Sequence, residues 1–257
     1  MHFKIAFLFL FLTASTQMQA IGTYQPGDTL YIWSFSGLIL RNRPALNAAR
    51  LKTIPYGTAV VALNYSGSKN TDVDIISAFS QNNKQLPAVV IKGDFARVVF
   101  DGDTGYVYDG YLSKLPALRQ VKTNSAKQPV FETFQQYAAR NFGILRQISK
   151  GKQGDGTSFQ EKAVFGNGIL MDTRLEKSGE TRIILPDISL EETLMLFKYL
   201  TGCTWDVPIK AKKGAEINWK MSKISDYEWF FGNENCSYYV RYYPATTLSV
   251  FSWTCSE

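Results

Sequence analysis

Histidine is what this chain has least of: one residue, His2, which stands inside an N-terminal stretch with the marks of a cleaved leader. The remaining chain carries no imidazole. Nucleophilic catalysis of the Ser-His-Asp or Cys-His type needs one as general base, and the common zinc sites need one as ligand, so both classes are excluded. No cofactor and no metal site is expected. Cysteine is scarce too, at three residues. No apolar run approaches the roughly 20 residues that a membrane-spanning helix needs, so no transmembrane anchor is expected. Charge of one sign is also in short supply: Lys+Arg 28 against Asp+Glu 22 leaves +6, mixed evenly along the chain. A nucleic-acid surface would want a clustered basic stripe, and no nucleic-acid partner is expected. One local bias exists, Lys114, Arg119, Lys122 and Lys127, with no acid between Asp109 and Glu132. It reads as a solvated linker.

Lys4, the apolar run Ile5–Leu12 and the small, polar stretch Thr13–Ala20 have the three-part form of a secretory signal peptide. Residues 1–20 are therefore expected to be removed on export to the periplasm or the extracellular space. No cysteine follows the run to take a lipid. The apolar share of 45% and charged share of 19% are those of a folded protein. Aromatics at 14% favour β structure, where rings pack on pleated faces.

Residues 22–117 read as a first, all-β domain. Asp28–Trp33, Leu38–Arg41 and Ala59–Leu63 are short apolar runs separated by Pro/Gly turns, with Pro44 forcing the chain out of the second. Residues 95–100 alternate, Phe95 and Arg97 on one face against Ala96 and Val98 on the other, and Tyr106-Val107-Tyr108 resumes the alternation after the turn cluster Asp101–Gly105. The order of these blocks resembles the bacterial SH3 (SH3b, SH3 type 3) family. The carrying residues are Leu38-Ile-Leu-Arg41 with Pro44, then Leu51 and Pro55-Tyr56-Gly57-Thr58. Phe95, Val98, Gly105-Tyr106-Val107 and Tyr111-Leu112 close the pattern. The resemblance implies an SH3-like barrel with Leu40, Val60, Val98, Val107 and Leu112 in its core. It also implies a binding groove at Phe95, Arg97, Tyr106 and Tyr108, with a peptide or a peptidoglycan-type wall component as partner. The segment 64–87 is longer than the family's connection and reads as an insertion.

Residues 118–129 read as a linker, and 130–257 as an α+β domain with an antiparallel sheet and two helices, for which no family resemblance is found. Phe131, Phe134, Ala138 and Phe142 fall at helical spacing, ended by Gly143. Ser189-Leu-Glu-Glu192 has the capping-box form and opens a second helix whose stripe is Leu190, Leu194, Phe197 and Leu200, with Gly202 as its stop. Glu191 and Glu192 are explained by that cap. Gly151, Gly154 and Gly156 form a loop without the Gly-Lys-Ser/Thr ending of a phosphate cradle. If Pro244–Thr247 centres the last hairpin, Cys236 and Cys255 lie directly opposite each other and are the expected disulfide, leaving Cys203 as the odd thiol.

The expectation is an exported, non-catalytic binding protein of the bacterial envelope. Two others compete with it. One is a carboxylate-based enzyme acting on glycan, drawing on Glu161, Asp172, Glu176, Asp187 and Asp206, none of which pairs by spacing. The other is a structural subunit of an envelope assembly, binding envelope protein through exposed rings.

Overall fold

The computed structural model describes residues 24–65, 71–76, 78–81, 84–86, 88–123, 129–151, 158–175, 178–201, 220–233 and 235–256. The signal peptide at 1–20, the centre of the glycine loop at 152–157, Glu176, Gly202, Cys203 and Asp206 lie outside the described residues.

The first half holds β1 (Thr29–Ile32), β2 (Leu38–Arg41), β3 (Arg50–Ile54), β4 (Ala59–Tyr65), β5 (Thr71–Ile76), β6 (Phe79–Gln81), β7 (Lys84–Leu86), β8 (Val89–Gly93), β9 (Phe95–Phe100) and β10 (Asp103–Tyr108). A 3-10 turn, Asp109–Tyr111, leads into β11 (Leu112–Ser113). Seven of these form an antiparallel sheet in the order β11-β1-β4-β9-β10-β2-β3. Alternation decides its faces: Leu30, Ile32, Leu40, Val60, Ala62, Val98, Val107 and Leu112 are buried together, as the sequence pattern requires. The expected barrel closure is not made. The sheet stays open, with β3 and β11 as its outer strands. Its weak seam lies at β2, which meets β10 through the single pair Tyr106–Arg41.

The β9–β10 turn is tighter than the cluster Asp101–Gly105. Phe100 pairs with Asp103, which leaves a two-residue loop with Asp101 at φ 51° and Gly102 at φ 78°. Two positive φ values define the type I′ turn that Asp-Gly favours. Gly105 belongs to the strand, and its role is clearance: a Cβ there would stand 2.7 Å from the Arg41 carbonyl oxygen. The insertion holds β5, β6 and β7: β6 pairs with β7, and β5 pairs with β8, which follows the insertion. Ile75, Ile76, Leu86, Val89 and Ile91 of these strands are buried.

The segment expected as a linker is in part a hairpin. β12 (Gln120–Thr123) pairs with β13 (Pro129–Phe131). Its base is fixed by buried Leu118 and by Glu132, which accepts the Arg119 amide proton at 2.7 Å. Helix α1 (Phe134–Phe142) starts later than the apolar spacing implied, because Thr133 and Gln136 form a capping box and Phe131 belongs to β13. Gly143, at φ 68°, ends it as expected.

The second half continues with β14 (Ile144–Lys150), β15 (Phe159–Phe165), β16 (Leu170–Leu175), β17 (Ser178–Pro186), α2 (Leu190–Leu200), β18 (Lys220–Ser225), β19 (Glu228–Gly232), β20 (Cys236–Tyr243) and β21 (Leu248–Ser256). The strands make one antiparallel sheet in the order β14-β15-β16-β17-β21-β20-β19-β18. Among the described residues the chain is thus mostly β with two α-helices and antiparallel sheets, as expected. The last hairpin has the expected register along its whole length, and Cys236 and Cys255 are disulfide-bonded. Helix α2 has its Ser189–Glu192 capping box and closes on Thr201, one residue before Gly202.

The sequence divides at 118–129, but the buried apolar cluster does not. Trp33, Ile75, Val89, Leu115 and Leu118 from the first half share one continuous cluster with Phe134, Phe165, Met195, Phe197, Phe231 and Phe251 from the second.

Candidate ligand-binding site

The four groove residues stand on one hairpin, β9–β10. Register sets Tyr108 directly opposite Phe95, and Tyr106 directly opposite Arg97. All four share the face that looks away from Val98 and Val107. They divide into two pairs by environment.

Phe95 is 3% exposed and Tyr108 is 7% exposed. Their rings meet edge-on with centroids 6.3 Å apart, and Tyr108 also meets Tyr111 at 6.2 Å. The Tyr108 ring fits against Gly93 and Gly110, where an added Cβ would fall within 2.5 Å and 2.2 Å of it. Burial, followed by the adjacent Asp109 charge, pushes the Tyr108 phenol far above its ordinary value. This pair packs against the end of β8, which Gly93 closes, and against the 3-10 turn Asp109–Tyr111. The alternation of β9–β10 gave no sign of that cover, which comes from residues outside the hairpin.

The other pair faces solvent. Arg97 is exposed and Tyr106 half-buried, and neither side chain has an ion-pair or hydrogen-bond partner among the described residues. Pairing extends the row on both sides: Asn64 stands opposite Arg97, Arg41 opposite Tyr106, and Arg50 opposite Arg41. Arg41 is braced by donating from Nη1 to the Ala48 carbonyl at 2.8 Å. A phenol flanked by guanidinium groups presents many donors and few acceptors. Such a row suits carboxylates and carbonyl oxygens, which accept from Arg in planar, two-point fashion. Arg41 and Arg50 were absent from the sequence-derived set. The signal that could have found them is their position on β2, which pairs with β10, and on β3, which pairs with β2.

A second arrangement joins the two halves. Phe35 and Tyr56 pack with Phe131 and Tyr199, all neighbouring centroids lying within 6.1 Å. The Tyr199 hydroxyl donates to the Trp33 carbonyl, and the Tyr56 hydroxyl donates to the Leu118 carbonyl at 3.0 Å. Burial, with Tyr199 beside it, holds the Tyr56 phenol well above its usual range. Below this cluster, Glu192 is 2% exposed. Its Oε2 accepts from the Ser189 amide, while its Oε1 accepts from the Ser113 hydroxyl at 2.5 Å and the Lys114 amide at 3.0 Å. One carboxylate therefore caps α2 and ties it to β11. Glu191, beside it, is held above the usual carboxylate range by burial, with hydrogen bonds from its own amide and Ser189 opposing the shift and the Glu192 charge reinforcing it.

The remaining carboxylates do not gather. Glu161 pairs with Thr173 and faces α1, accepting from Gln135 at 2.9 Å, whereas Asp172 pairs with Lys162 on the other face of the sheet. Two carboxyls on opposite faces cannot flank one glycosidic bond. Asp187, at φ 56°, accepts from the Thr247 hydroxyl at 2.7 Å, at the far end of β17.

No protein-family model matches the chain, and neither a curated protein nor a solved structure matches it.

Proposed function

We propose that this is an exported, non-catalytic binding protein of the bacterial envelope, whose SH3b-like first half recognises a peptide or a peptidoglycan-type wall component. The observation that carries the reading is the solvent-facing row of Arg97, Tyr106, Arg41 and Arg50, with the first two unpartnered among the described residues. Free carboxylates and peptide carbonyls of such partners match those donors. The run of strands adds support: the closing block of the SH3b-like pattern returns β11 beside β1, after a 3-10 turn. The disulfide between Cys236 and Cys255 is compatible with an oxidising compartment.

The recognition surface is the exposed half of the sequence-derived groove. Phe95 and Tyr108 contribute by holding the hairpin against the end of β8 and the 3-10 turn, and Arg97 and Tyr106 make the contacts. Co-sedimentation with purified peptidoglycan, and pull-down with envelope proteins, tests this on the wild type and the Arg97→Ala/Tyr106→Ala variant. Loss of two central contacts of roughly 1–2 kcal/mol each lowers affinity on the order of tenfold to several hundredfold. Equal recovery of the two proteins would remove the row from the reading.

A further inference from the structure

The eight-stranded sheet has helices against one face, and among the described residues no helix covers the other. At the β14–β16 corner of that open face lies a cavity of about 550 Å³, bordered by Lys150, Gln160, Lys162 and Arg174. Its size falls within the range of roughly 300–1,000 Å³ typical of small-ligand sites. Pairing brings the cations together: Lys150 stands opposite Gln160, and Gln160 opposite Arg174, with Lys162 two residues along β15 on the same face.

Among the described residues two carboxylates of this face answer them, Asp172 and, opposite Arg174 on β17, Glu180. Asp172 receives Lys162 at 3.3 Å, Arg174 at 3.2 Å and the Gln160 amide at 3.1 Å. Lys150 forms no ion pair among the described residues. Among the described residues four cations, Lys150, Lys162, Arg174 and Arg182, against the two carboxylates Asp172 and Glu180 leave a positive surplus on this face, where like charges repel and a bound anion relieves the cost. The row of cations continues outward, since Arg182 stands opposite Asp172 on the next strand, where it pairs with Glu180. Cations thus recur on four neighbouring strands, spaced roughly 4.8 Å apart in the sheet. A ligand with repeating charges meets a new cation at each step.

The type of cation selects the anion. Carboxylate recognition leans on a free Arg fork, and here Arg174 is already engaged by Asp172 while Arg182 is engaged by Glu180 at 3.2 Å. Lys162 shares Asp172 with Arg174, and the Lys150 ammonium remains as the unpaired point charge among the described residues of this corner, which suits a phosphate oxygen. We propose that this corner is a binding site for a linear phosphate-bearing polymer, separate from the Arg97–Tyr106 row.

The test uses the full chain and labelled inorganic polyphosphate, titrated at several salt concentrations, with poly-L-glutamate as the carboxylate comparison. Lys150→Ala/Lys162→Ala keeps the Arg174–Asp172 pair intact. It should weaken polyphosphate binding at least tenfold and reduce the slope of log K against log salt by about two. Arg97→Ala should leave that binding unchanged. Absence of polyphosphate binding, or an unaltered affinity in the double variant, would overturn the site. Equal weakening by Arg97→Ala would reduce the effect to net charge and overturn it as well. Poly-L-glutamate bound as tightly as polyphosphate would overturn the assignment to phosphate.

Discussion

The hydroxyl of Tyr137 sits at the centre of the shared core, fully buried and without a hydrogen-bond partner among the described residues. Burying an unsatisfied hydroxyl costs on the order of 1–3 kcal/mol. Tyr137→Phe keeps the ring contacts with Phe134 and Phe142 and removes the cost. Chemical denaturation of this variant should give a midpoint above the wild type by about 1 kcal/mol of stability; a clear loss would mean that the hydroxyl has a partner. Glu132 is the opposite case. Burial alone would raise its carboxyl, but the hydrogen bond and charge of Arg140, with the Arg119 amide, outweigh it and hold the group below its usual 4.5. An unfolded chain then takes up the proton first as the pH falls. The contribution of Glu132 is complete above about pH 4.5 and disappears as the pH drops through the lower folded value. The stability gap between wild type and Glu132→Gln should narrow from pH 6 to pH 3, and a gap that stays constant would contradict the assignment. Neither residue was legible in the sequence. Tyr137 stands at i+3 from Phe134 on the apolar face, but that spacing does not say that its hydroxyl goes unsatisfied, and the charge on Glu132 acquires its meaning from Arg140 and from a backbone amide across a hairpin.

Elements whose signals are local were read correctly. The Ser189–Glu192 capping box needs four consecutive residues, and the C-terminal register needs one turn and two alternating strands. The disulfide that closes this hairpin spans a sequence separation of 19. Cross-linking a loop of this length stabilises by about 3 kcal/mol in the chain-entropy treatment. Cys236→Ser/Cys255→Ser should lower stability by about 2–3 kcal/mol while leaving the strand content seen by far-UV circular dichroism unchanged, because β21 keeps its pairing with β17 along nine residue pairs. A variant as stable as the wild type would show that strand pairing alone holds the hairpin. Elements whose partners are distant were missed or blurred. The 118–129 stretch has a linker's composition, yet Leu118 is buried and β12 finds β13. The insertion at 64–87 reads as polar except for its centre, yet Ile75, Ile76 and Leu86 enter the cluster shared with the second half, while Gly93, Gly110 and Tyr111 enclose Tyr108. Half of the sequence-derived groove was therefore legible as a face, and its division into packed and exposed halves was not.

At the scale of the whole molecule, the sequence reads as two units and the packing makes one. Trp33 contacts Tyr199 edge-on at 5.6 Å, Lys198 donates to the Ile75 carbonyl at 2.6 Å, and Glu192 holds Ser113 and Lys114. Each of these links crosses the stretch where composition placed a linker. Ordinary interfaces between domains of one chain are polar and permit relative motion. Here the contact is apolar: Trp33, Ile75, Val89 and Leu115 of the first half are buried in the core of the second, and Tyr24 and Tyr111 pack against both this cluster and the separate core of the seven-stranded sheet. The expected behaviour is one cooperative thermal transition, with calorimetric and van't Hoff enthalpies in agreement. Tyr199→Ala removes ring contacts with Trp33, Tyr56 and Phe131 together with the bond to the Trp33 carbonyl, a loss of about 2–4 kcal/mol. In a coupled molecule that loss lowers a single melting midpoint and shifts near-ultraviolet signals from both halves together. Separate transitions in the wild type, or a Tyr199→Ala variant in which only one half melts early, would show that the halves fold independently and that the shared cluster is a contact between finished units.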